Sequence, residues 1–145
     1  MSDTTASEVK KLLTEHGWIV YRATRDAVAL AERVRVNLIM EAYVEVRLDG
    51  SVRVRFTSRA QRSDFPSSSE TDASLLQRAR TIAQPALSLG FQEVETHVES
   101  ISDPMDPGRN LDTWYQVRFE NQVDSDQALL EAVQQAISFE KVAPR

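Results

Sequence analysis

Two alternating stretches around an Asp49-Gly50 pair constrain the fold of this chain more than any other feature. Within residues 40–59, apolar side chains recur at every second position on both sides of the pair. Strict period-two alternation about Asp-Gly is the strongest short-range signal for a β-hairpin, because glycine accepts the backbone conformation that a tight turn requires. We predict strands at 41–49 and 51–58 that share one apolar face, which consists of Val44, Val46, Leu48, Val52, Val54 and Phe56.

The opposite face of the predicted hairpin is charged and carries Glu45, Arg47, Arg53 and Arg55. Residues 22–62 contain nine arginines and five acids, a local charge of +4, whereas residues 63–145 contain six basic residues and fourteen acids, a local charge of −8. Two interpretations are open. The two regions can pair with each other, or the arginines can form a basic face for an acidic partner.

Length and composition indicate a soluble protein. A chain of 145 residues with 41% hydrophobic content is long enough to bury a core, and without cysteine it has no disulfide, thiolate metal site or cysteine nucleophile. No apolar run approaches the roughly 20 residues of a membrane span, and the first residues lack the pattern of a signal peptide. We therefore predict a cytoplasmic protein with no membrane segment. The net charge of −5 argues against general affinity for nucleic acid.

The first part of the chain predicts a helix over 5–16 and a strand at 18–23, because helical apolar spacing is followed by a β-branched and aromatic run. Residues 25–38 fit two structures, since their apolar positions match a short helix and also alternate as in a strand. We favour a strand at 33–39 and leave 26–32 open between the two.

The polar, serine-rich residues 61–71 predict a mobile loop. An apolar stripe at helical spacing follows, which predicts a helix capped by Thr71 or Asp72. Pro85 lies inside the stripe and predicts a break near residues 83–84, because proline cannot continue the helical hydrogen bonds.

Two more alternating runs predict strands at 91–100 and 113–120, joined by a long turn at 103–111 that is rich in Asp, Pro and Gly. Acidic residues at 124–126 indicate the start of a last helix, since acids are favourable at the positive end of a helix.

The resulting order, α-β(β)ββ-α-ββ-α, predicts the α+β class, with an antiparallel sheet of about five strands and helices packed on one face. We predict one domain over residues 1–145, with flexible ends at about 1–4 and 141–145.

Patterns for catalysis or metal binding are weak. His97 alternates with Glu95 and Glu99 along one strand, which a solvated strand face explains, and His16 lies on a different element. The four glycines are scattered, so no phosphate-binding loop is present, and the serines lack a nucleophile-elbow context. We predict no catalytic residue, no metal ligand and no cofactor.

Trp114 and Arg118 fall on the polar face of the second predicted strand pair, on either side of Gln116. An outward tryptophan beside arginine suits a protein-binding surface, and burial against a helix explains it equally well. Aromatic residues beside the basic face are too few for a nucleic-acid platform. The predicted partner-binding residues are Arg47, Arg53, Arg55, Trp114 and Arg118.

The order of one helix, a three-strand meander, a helix, a strand pair and a final helix resembles the type III secretion chaperone-like fold family. In that family, residues containing Asn or Gly lead from the middle helix into a strand, and Ser-Leu-Gly-Phe at 88–91 occupies this place. The 61–71 connection, Pro85 and the open stretch 25–38 depart from the pattern. If 25–38 is helical, a ferredoxin-like arrangement with additional elements fits instead.

The resemblance implies a non-enzymatic dimer that binds an extended segment of another protein along its sheet and helix surfaces. We therefore expect a bacterial protein-binding module, chaperone-like or adaptor-like, that acts as a homodimer. One alternative is an antitoxin-like or immunity-like inhibitor whose acidic C-terminal half covers a basic partner site. Another is a small-ligand binder or enzyme with a pocket near the 61–71 loop.

Overall fold

A computed structural model describes residues 3–144, which contain three α-helices and six β-strands in the order α-ββββ-α-ββ-α. Residues 1, 2 and 145, which belong to the predicted flexible ends, lie outside the described residues. The helices are α1 (Ala6–Glu15), α2 (Asp72–Ile82) and α3 (Asp126–Phe139). The strands are β1 (Ile19–Ala23), β2 (Ala27–Arg35), β3 (Leu38–Arg47), β4 (Arg53–Gln61), β5 (Gln92–Asp103) and β6 (Asp106–Gln122).

The six strands form one antiparallel sheet with the hydrogen-bonded order β1-β2-β3-β4-β6-β5, and the helices pack against it. The predicted α+β class is confirmed, with six strands where we expected about five. Backbone contacts divide the chain into two compact units. Unit 1 consists of residues 1–56 and 120–140, and unit 2 consists of residues 57–119 and 141–145. The prediction of a single domain stays a prediction.

In unit 1, α1 begins and ends where the sequence predicts. The side chain of Thr5 accepts a hydrogen bond from a backbone amide of the first turn, as expected of a helix N-cap. The helix ends at His16, and Gly17 follows with φ of +86°, a conformation that glycine adopts without steric cost. Val9 and Leu13 are buried.

Residues 25–38 form a strand and a turn, not a helix. β2 pairs with β1 on one side and with β3 on the other, so its backbone amides and carbonyls find hydrogen-bond partners in two neighbouring strands. The stretch 26–32, which we left open, is therefore mainly strand. The strand favoured at 33–39 is wrong in part, because a turn at 36–37 separates β2 from β3. Arg33 stabilises this turn by donating from Nη1 to the carbonyl of Val36 at 2.7 Å.

The β3–β4 hairpin confirms the two strands and their buried face, whose facing side chains are Val44, Val46, Val54 and Phe56. Its turn is wider than the predicted Asp-Gly pair. The last paired residues are Arg47 and Arg53, and residues 48–52 connect them. Asp49 accepts hydrogen bonds from both arginines and so closes the wider loop, in which Gly50 has φ of +96°.

α3 also belongs to unit 1 and begins where the acidic residues indicated. The hydroxyl of Ser125 accepts a hydrogen bond from the amide of Ala128 at 3.1 Å, which caps the helix. Its apolar stripe is buried, and Phe139 at its end packs against Phe56 with ring centroids 6.1 Å apart.

In unit 2, a capping box starts α2. The hydroxyls of Thr71 and Ser74 each accept a hydrogen bond from the backbone amide of the other residue. The predicted break at Pro85 is confirmed, since α2 ends at Ile82 with Ala83 as its C-cap, and a 3-10 helix, Gln84–Leu89, follows. The connection before α2 contains a 3-10 helix, Arg62–Asp64. The mobility predicted for 61–71 stays a prediction.

The long turn predicted at 103–111 is wrong. β5 and β6 are joined by residues 104–105 alone, and the amide of Met105 donates to the Asp103 carboxylate at 2.9 Å. Residues 106–111 instead extend β6 and are exposed. The turn-forming residues Pro107 and Gly108 are tolerated because they lie at the start of the strand, where pairing along the hairpin outweighs their local preference.

The end of the described chain is paired with β4. The amide of Arg59 donates to the carbonyl of Lys141 at 2.9 Å, and the amide of Ala143 donates to the carbonyl of Arg59 at 2.7 Å. Val142 forms a parallel β-bridge with Arg59, and Ala143 is 3% exposed. The sequence predicted a frayed end here, and the structure shows a short pseudo-strand because the backbone of β4 offers it partners.

Candidate functional site

The arginines of the predicted basic face are ion-paired with acids of unit 1. Arg47 and Arg53 both contact the carboxylate of Asp49, with nitrogen–oxygen distances of 3.1 and 2.5 Å. Arg55 contacts Glu120 through Nε at 2.7 Å and through Nη2 at 2.6 Å. The Glu120 side chain is 12% exposed, so this pair is mostly withdrawn from solvent.

Protonation equilibria reinforce these pairs. Hydrogen bonds from Arg47 and then Arg53 hold the pKa of Asp49 far below its usual range. The hydrogen bond to Asp49 in turn raises the pKa of Arg47. Both partners therefore stay charged at neutral pH, and an acidic partner would have to displace Asp49 to reach them. Partner binding by Arg47, Arg53 and Arg55 stays a prediction. The interpretation of pairing between the two regions has the contacts of Arg53 and Arg55 with Glu120 in its support, whereas Asp49 belongs to the same region as the arginines.

Trp114 and Arg118, on the same face of β6, are each held by neighbours in unit 2. The indole Nε1 of Trp114 donates to the carboxylate of Asp112 at 3.1 Å. Arg118 donates to Glu95 of β5 at 2.6 Å and to the side-chain oxygen of Gln116 at 3.2 Å. The structure thus brings Arg118 beside β5, and it places these two residues in a different unit from the three hairpin arginines.

A polar cluster that sequence reasoning missed joins three distant positions of unit 2. The hydroxyl of Tyr115 donates to Asp72 at 2.7 Å and accepts from Arg62 at 3.1 Å. Burial and then the hydrogen bond to Asp72 raise the pKa of Tyr115, so its hydroxyl remains protonated and is a poor nucleophile. No local motif could have revealed the cluster, because its members are 10 to 53 residues apart.

A cavity of about 310 Å³ lies beside the 61–71 connection, where we had considered a ligand site. Of its two charged lining residues, Arg62 donates to the hydroxyl of Tyr115, and Asp112 accepts hydrogen bonds from the amide and hydroxyl of Ser63 at 2.9 and 2.8 Å. The amide of Thr113 and the indole of Trp114 are further donors to the same carboxylate. Because this carboxylate is engaged in structural contacts, the cavity offers weak support for a catalytic or ligand-binding role.

The most accessible strand of the sheet is β5. It stands last in the strand order, with β6 as its neighbour, and residues 92–100 are all exposed. Such a strand presents backbone amides and carbonyls along its outer edge, which is a template for pairing with another extended chain. The sequence predicted this strand without its position, because strand order depends on long-range pairing.

The two faces of β5 differ in chemistry. Glu95 and Glu99 contact Arg118 and Gln116, so they lie on the face of these β6 residues. Alternation places Val94 and Val98 on the opposite face, and they are 46% and 45% exposed. The twelve residues of β5 contain four acids and no lysine or arginine. The outer edge therefore combines an apolar row with an acidic row.

A second accessible region is the arm, which we define as residues 32–41 of unit 1. Pairing between β1 and β2 stops at Ala31, and pairing between β3 and β4 starts at Val44, so the arm is a two-stranded ribbon. Tyr43 lies where the strands diverge and has φ of +57°, which is unusual for a bulky residue. The exposed apolar side chains of the arm are Val34, Val36, Leu38, Ile39 and Met40.

Two structural features bear on chemistry and membranes. Across residues 3–144, no three side chains of His, Cys, Asp or Glu are grouped so that they could hold a metal ion. In the same range, no helix has both the length and the apolar character that are needed to cross a bilayer.

Comparison with known proteins returned no match to a family model, to a curated protein or to a solved structure. The geometry of the chain itself is therefore the basis for a functional proposal.

Proposed function

We propose that this chain is a non-catalytic protein-binding module, chaperone-like or adaptor-like, that binds an extended segment of another protein. The observation that carries the proposal is β5, a twelve-residue strand at the edge of the sheet whose residues 92–100 are all exposed. An extended peptide adds to such an edge through backbone hydrogen bonds, while pockets and charges on the two faces select its side chains.

The chemistry of β5 specifies the kind of segment. An added strand would place its alternate side chains beside Val94 and Val98 on one face and beside Glu95 and Glu99 on the other. Glu99 accepts a hydrogen bond from the neutral amide of Gln116 at 3.1 Å, so this contact does not neutralise its charge. We therefore assign to the partner an extended segment in which apolar residues alternate with lysine or arginine.

The proposal is tested with a blocked, fluorescent nine-residue peptide that alternates valine and lysine. Fluorescence anisotropy should show saturable binding to the full chain. The double variant Val94→Lys, Val98→Lys should bind at least about tenfold more weakly, because lysines on an edge strand disfavour strand addition and repel the cationic peptide. Met105→Lys is the matched control, since Met105 is an exposed apolar residue of the turn after β5.

Two further peptides separate strand addition from charge attraction. A peptide N-methylated at alternate residues keeps its charge but loses its hydrogen-bond donors, and it should not bind. A peptide in which glutamate replaces every lysine should not bind, because its carboxylates would be repelled by the acids of β5. Equal affinity for the methylated and unmethylated peptides would show that β5 does not pair with the segment.

The proposal includes a homodimer, a cytoplasmic location and the type III secretion chaperone-like resemblance. The exposed apolar side chains of the arm support the dimer, because Leu38 and Met40 share one face of β3 and exposed apolar residues grouped on one face are typical of protein contacts. The order α-ββββ-α-ββ-α supports the resemblance, with one strand more than its three-strand meander.

The dimer is tested by light scattering at micromolar concentrations, where the mass should be about twice the 16.4 kDa of one chain. The variant Leu38→Asp, Met40→Asp should reduce the mass to that of one chain, because carboxylates in a buried contact are costly. Met105→Asp is the matched control and should leave the mass unchanged. A monomeric wild-type chain throughout this range would refute the dimer and leave the β5 proposal standing.

A further inference from the structure

The pairing of residues 141–143 with β4 shows a second place where an extended segment adds to this sheet. Both hydrogen bonds use the backbone of Arg59, which donates to the carbonyl of Lys141 and accepts from the amide of Ala143. We call this place the tail slot. It lies in unit 2, and its occupant in this structure is residues 141–143 of the same chain.

The occupant is weakly held. It forms a single β-bridge rather than a ladder, and each of its two backbone hydrogen bonds contributes only about 0.5–1.5 kcal/mol net. Because it follows the end of α3, its release would break no helix and no other strand pairing. The slot can therefore open while the rest of unit 2 keeps its structure.

The tail slot continues into a cavity of about 470 Å³ along α2. The lining includes Ala143 and Pro144 from the tail and Gln77, Thr81 and Ile82 from the helix. The charged lining residues, Glu70 and Arg78, form an ion pair with each other. The cavity therefore has no unbalanced charge among these residues and suits uncharged side chains, while the burial of Ala143, which is 3% exposed, favours a small residue at that position.

We propose that the tail slot is a second segment-binding site and that residues 141–144 are its internal competitor. Its ligand is an extended segment of another protein with a small, uncharged residue at the Ala143 position, where a backbone amide must donate to Arg59. The inference rests on the proposed function in that both sites bind by strand addition. The two sites differ in selectivity, because β5 selects basic residues and the tail slot selects small neutral ones.

The probe is a fluorescent synthetic peptide with the chain's own sequence at 139–145, Phe-Glu-Lys-Val-Ala-Pro-Arg. The full chain should bind this peptide weakly, since a tethered competitor acts at a millimolar effective concentration. A chain that ends at Glu140 should bind it about tenfold more tightly or better, because the competitor is gone. Anisotropy titrations measure both affinities.

Two controls test the geometry. A probe with proline at the Ala143 position lacks the amide that donates to Arg59 and should not bind the shortened chain. The full-length variant Ala143→Pro loses the same hydrogen bond within the chain and should bind the natural probe more tightly than the wild type does. This variant also replaces the shortened chain if the latter fails to fold, which thermal unfolding reveals.

Equal affinity of the wild type, the shortened chain and Ala143→Pro would overturn the proposal, as would tight binding of the proline probe. The valine–lysine peptide distinguishes the two sites. Its binding should be unchanged by removal of residues 141–145, whereas Val94→Lys, Val98→Lys should leave the tail probe unaffected. Failure of one probe alone therefore refutes one site alone.

Discussion

Replacement of Glu120 by alanine should lower the free energy of unfolding by about 2–3 kcal/mol, the larger of the two stability effects we expect. The Glu120 carboxylate accepts a hydrogen bond from Nε of Arg55, lies 2.6 Å from Nη2 of the same arginine and lies 3.6 Å from Nε of Arg53. The side chains of Arg55 and Arg53 are 20% and 22% exposed. Without Glu120, these two partly desolvated guanidinium groups would lose the negative charge that lies between them. Denaturant titration measures the effect.

Two variants make this result interpretable. Glu120→Gln keeps the shape and one acceptor oxygen but removes the charge, so its loss should be intermediate. Arg109→Ala removes the ion pair with Asp103, whose atoms are 3.9 Å apart, and should cost less than about 0.5 kcal/mol, because the Arg109 side chain is 68% exposed. A Glu120→Ala chain as stable as the Arg109→Ala chain would contradict a structural role for the hairpin arginines.

The same contacts decide how the basic face must be tested. Charge reversal of Arg53 or Arg55 to glutamate would put a new carboxylate beside Glu120 and destabilise unit 1 through repulsion. If such a variant lost partner binding, the cause could be its unfolding and not the loss of a binding residue. Neutral replacement by methionine, which keeps most of the apolar stem, is the better probe of a binding role for these arginines.

Asp112→Asn should lower the free energy of unfolding by about 2 kcal/mol. Each carboxylate oxygen accepts two hydrogen bonds, Oδ1 from the amides of Ser63 and Thr113, and Oδ2 from the Ser63 hydroxyl and the Trp114 indole. Asparagine replaces one of the two oxygens with an NH2 group. This group is itself a donor, so the two donors that it faces would be left unpaired. Release of Trp114 should also change its fluorescence in the native state, which provides a second measurement.

This effect should depend on pH in a defined direction. Burial raises the pKa of Asp112, but the hydrogen bonds from Ser63, Thr113 and Trp114 outweigh it and lower the pKa below its ordinary value of 3.8. A carboxyl group whose pKa is lower in the folded state stabilises the fold at any pH above its ordinary pKa. This stabilisation is lost as the pH falls through the pKa of the folded state. The wild type should therefore converge on Asp112→Asn as the pH falls below about 4. A constant difference between pH 7 and pH 3 would contradict this origin.

Local patterns were sufficient where the signal and the structure involve the same few residues. Period-two alternation identified the buried face of β3 and β4, and helical spacing with caps at Thr71 and the acids of 124–126 located α2 and α3. The break at Pro85 followed from its missing amide. These features depend on neighbours within one or two turns, so the sequence contains the whole argument.

Local patterns failed where a distant strand supplied the hydrogen bonds. Residues 25–38 became β2 and a turn because β1 and β3 pair with β2, and residues 106–111 became strand because β5 extends beside them. The end at 141–143 became a pseudo-strand because Arg59 offers its backbone. In each case the local preference was weaker than pairing with a partner far along the chain.

For the candidate sites, the amino-acid sequence by itself determined which residues carry charge and which alternate. It placed Arg47, Arg53 and Arg55 on one face and Trp114 with Arg118 on another, and it predicted the strand that became β5. The tertiary structure alone decided that Glu120 pairs with the hairpin arginines, that β5 lies at the sheet edge and that residues 141–143 fill a slot on β4. Charge and alternation are properties of single residues and short stretches, whereas pairing and exposure arise when distant segments compete for the same backbone and the same space.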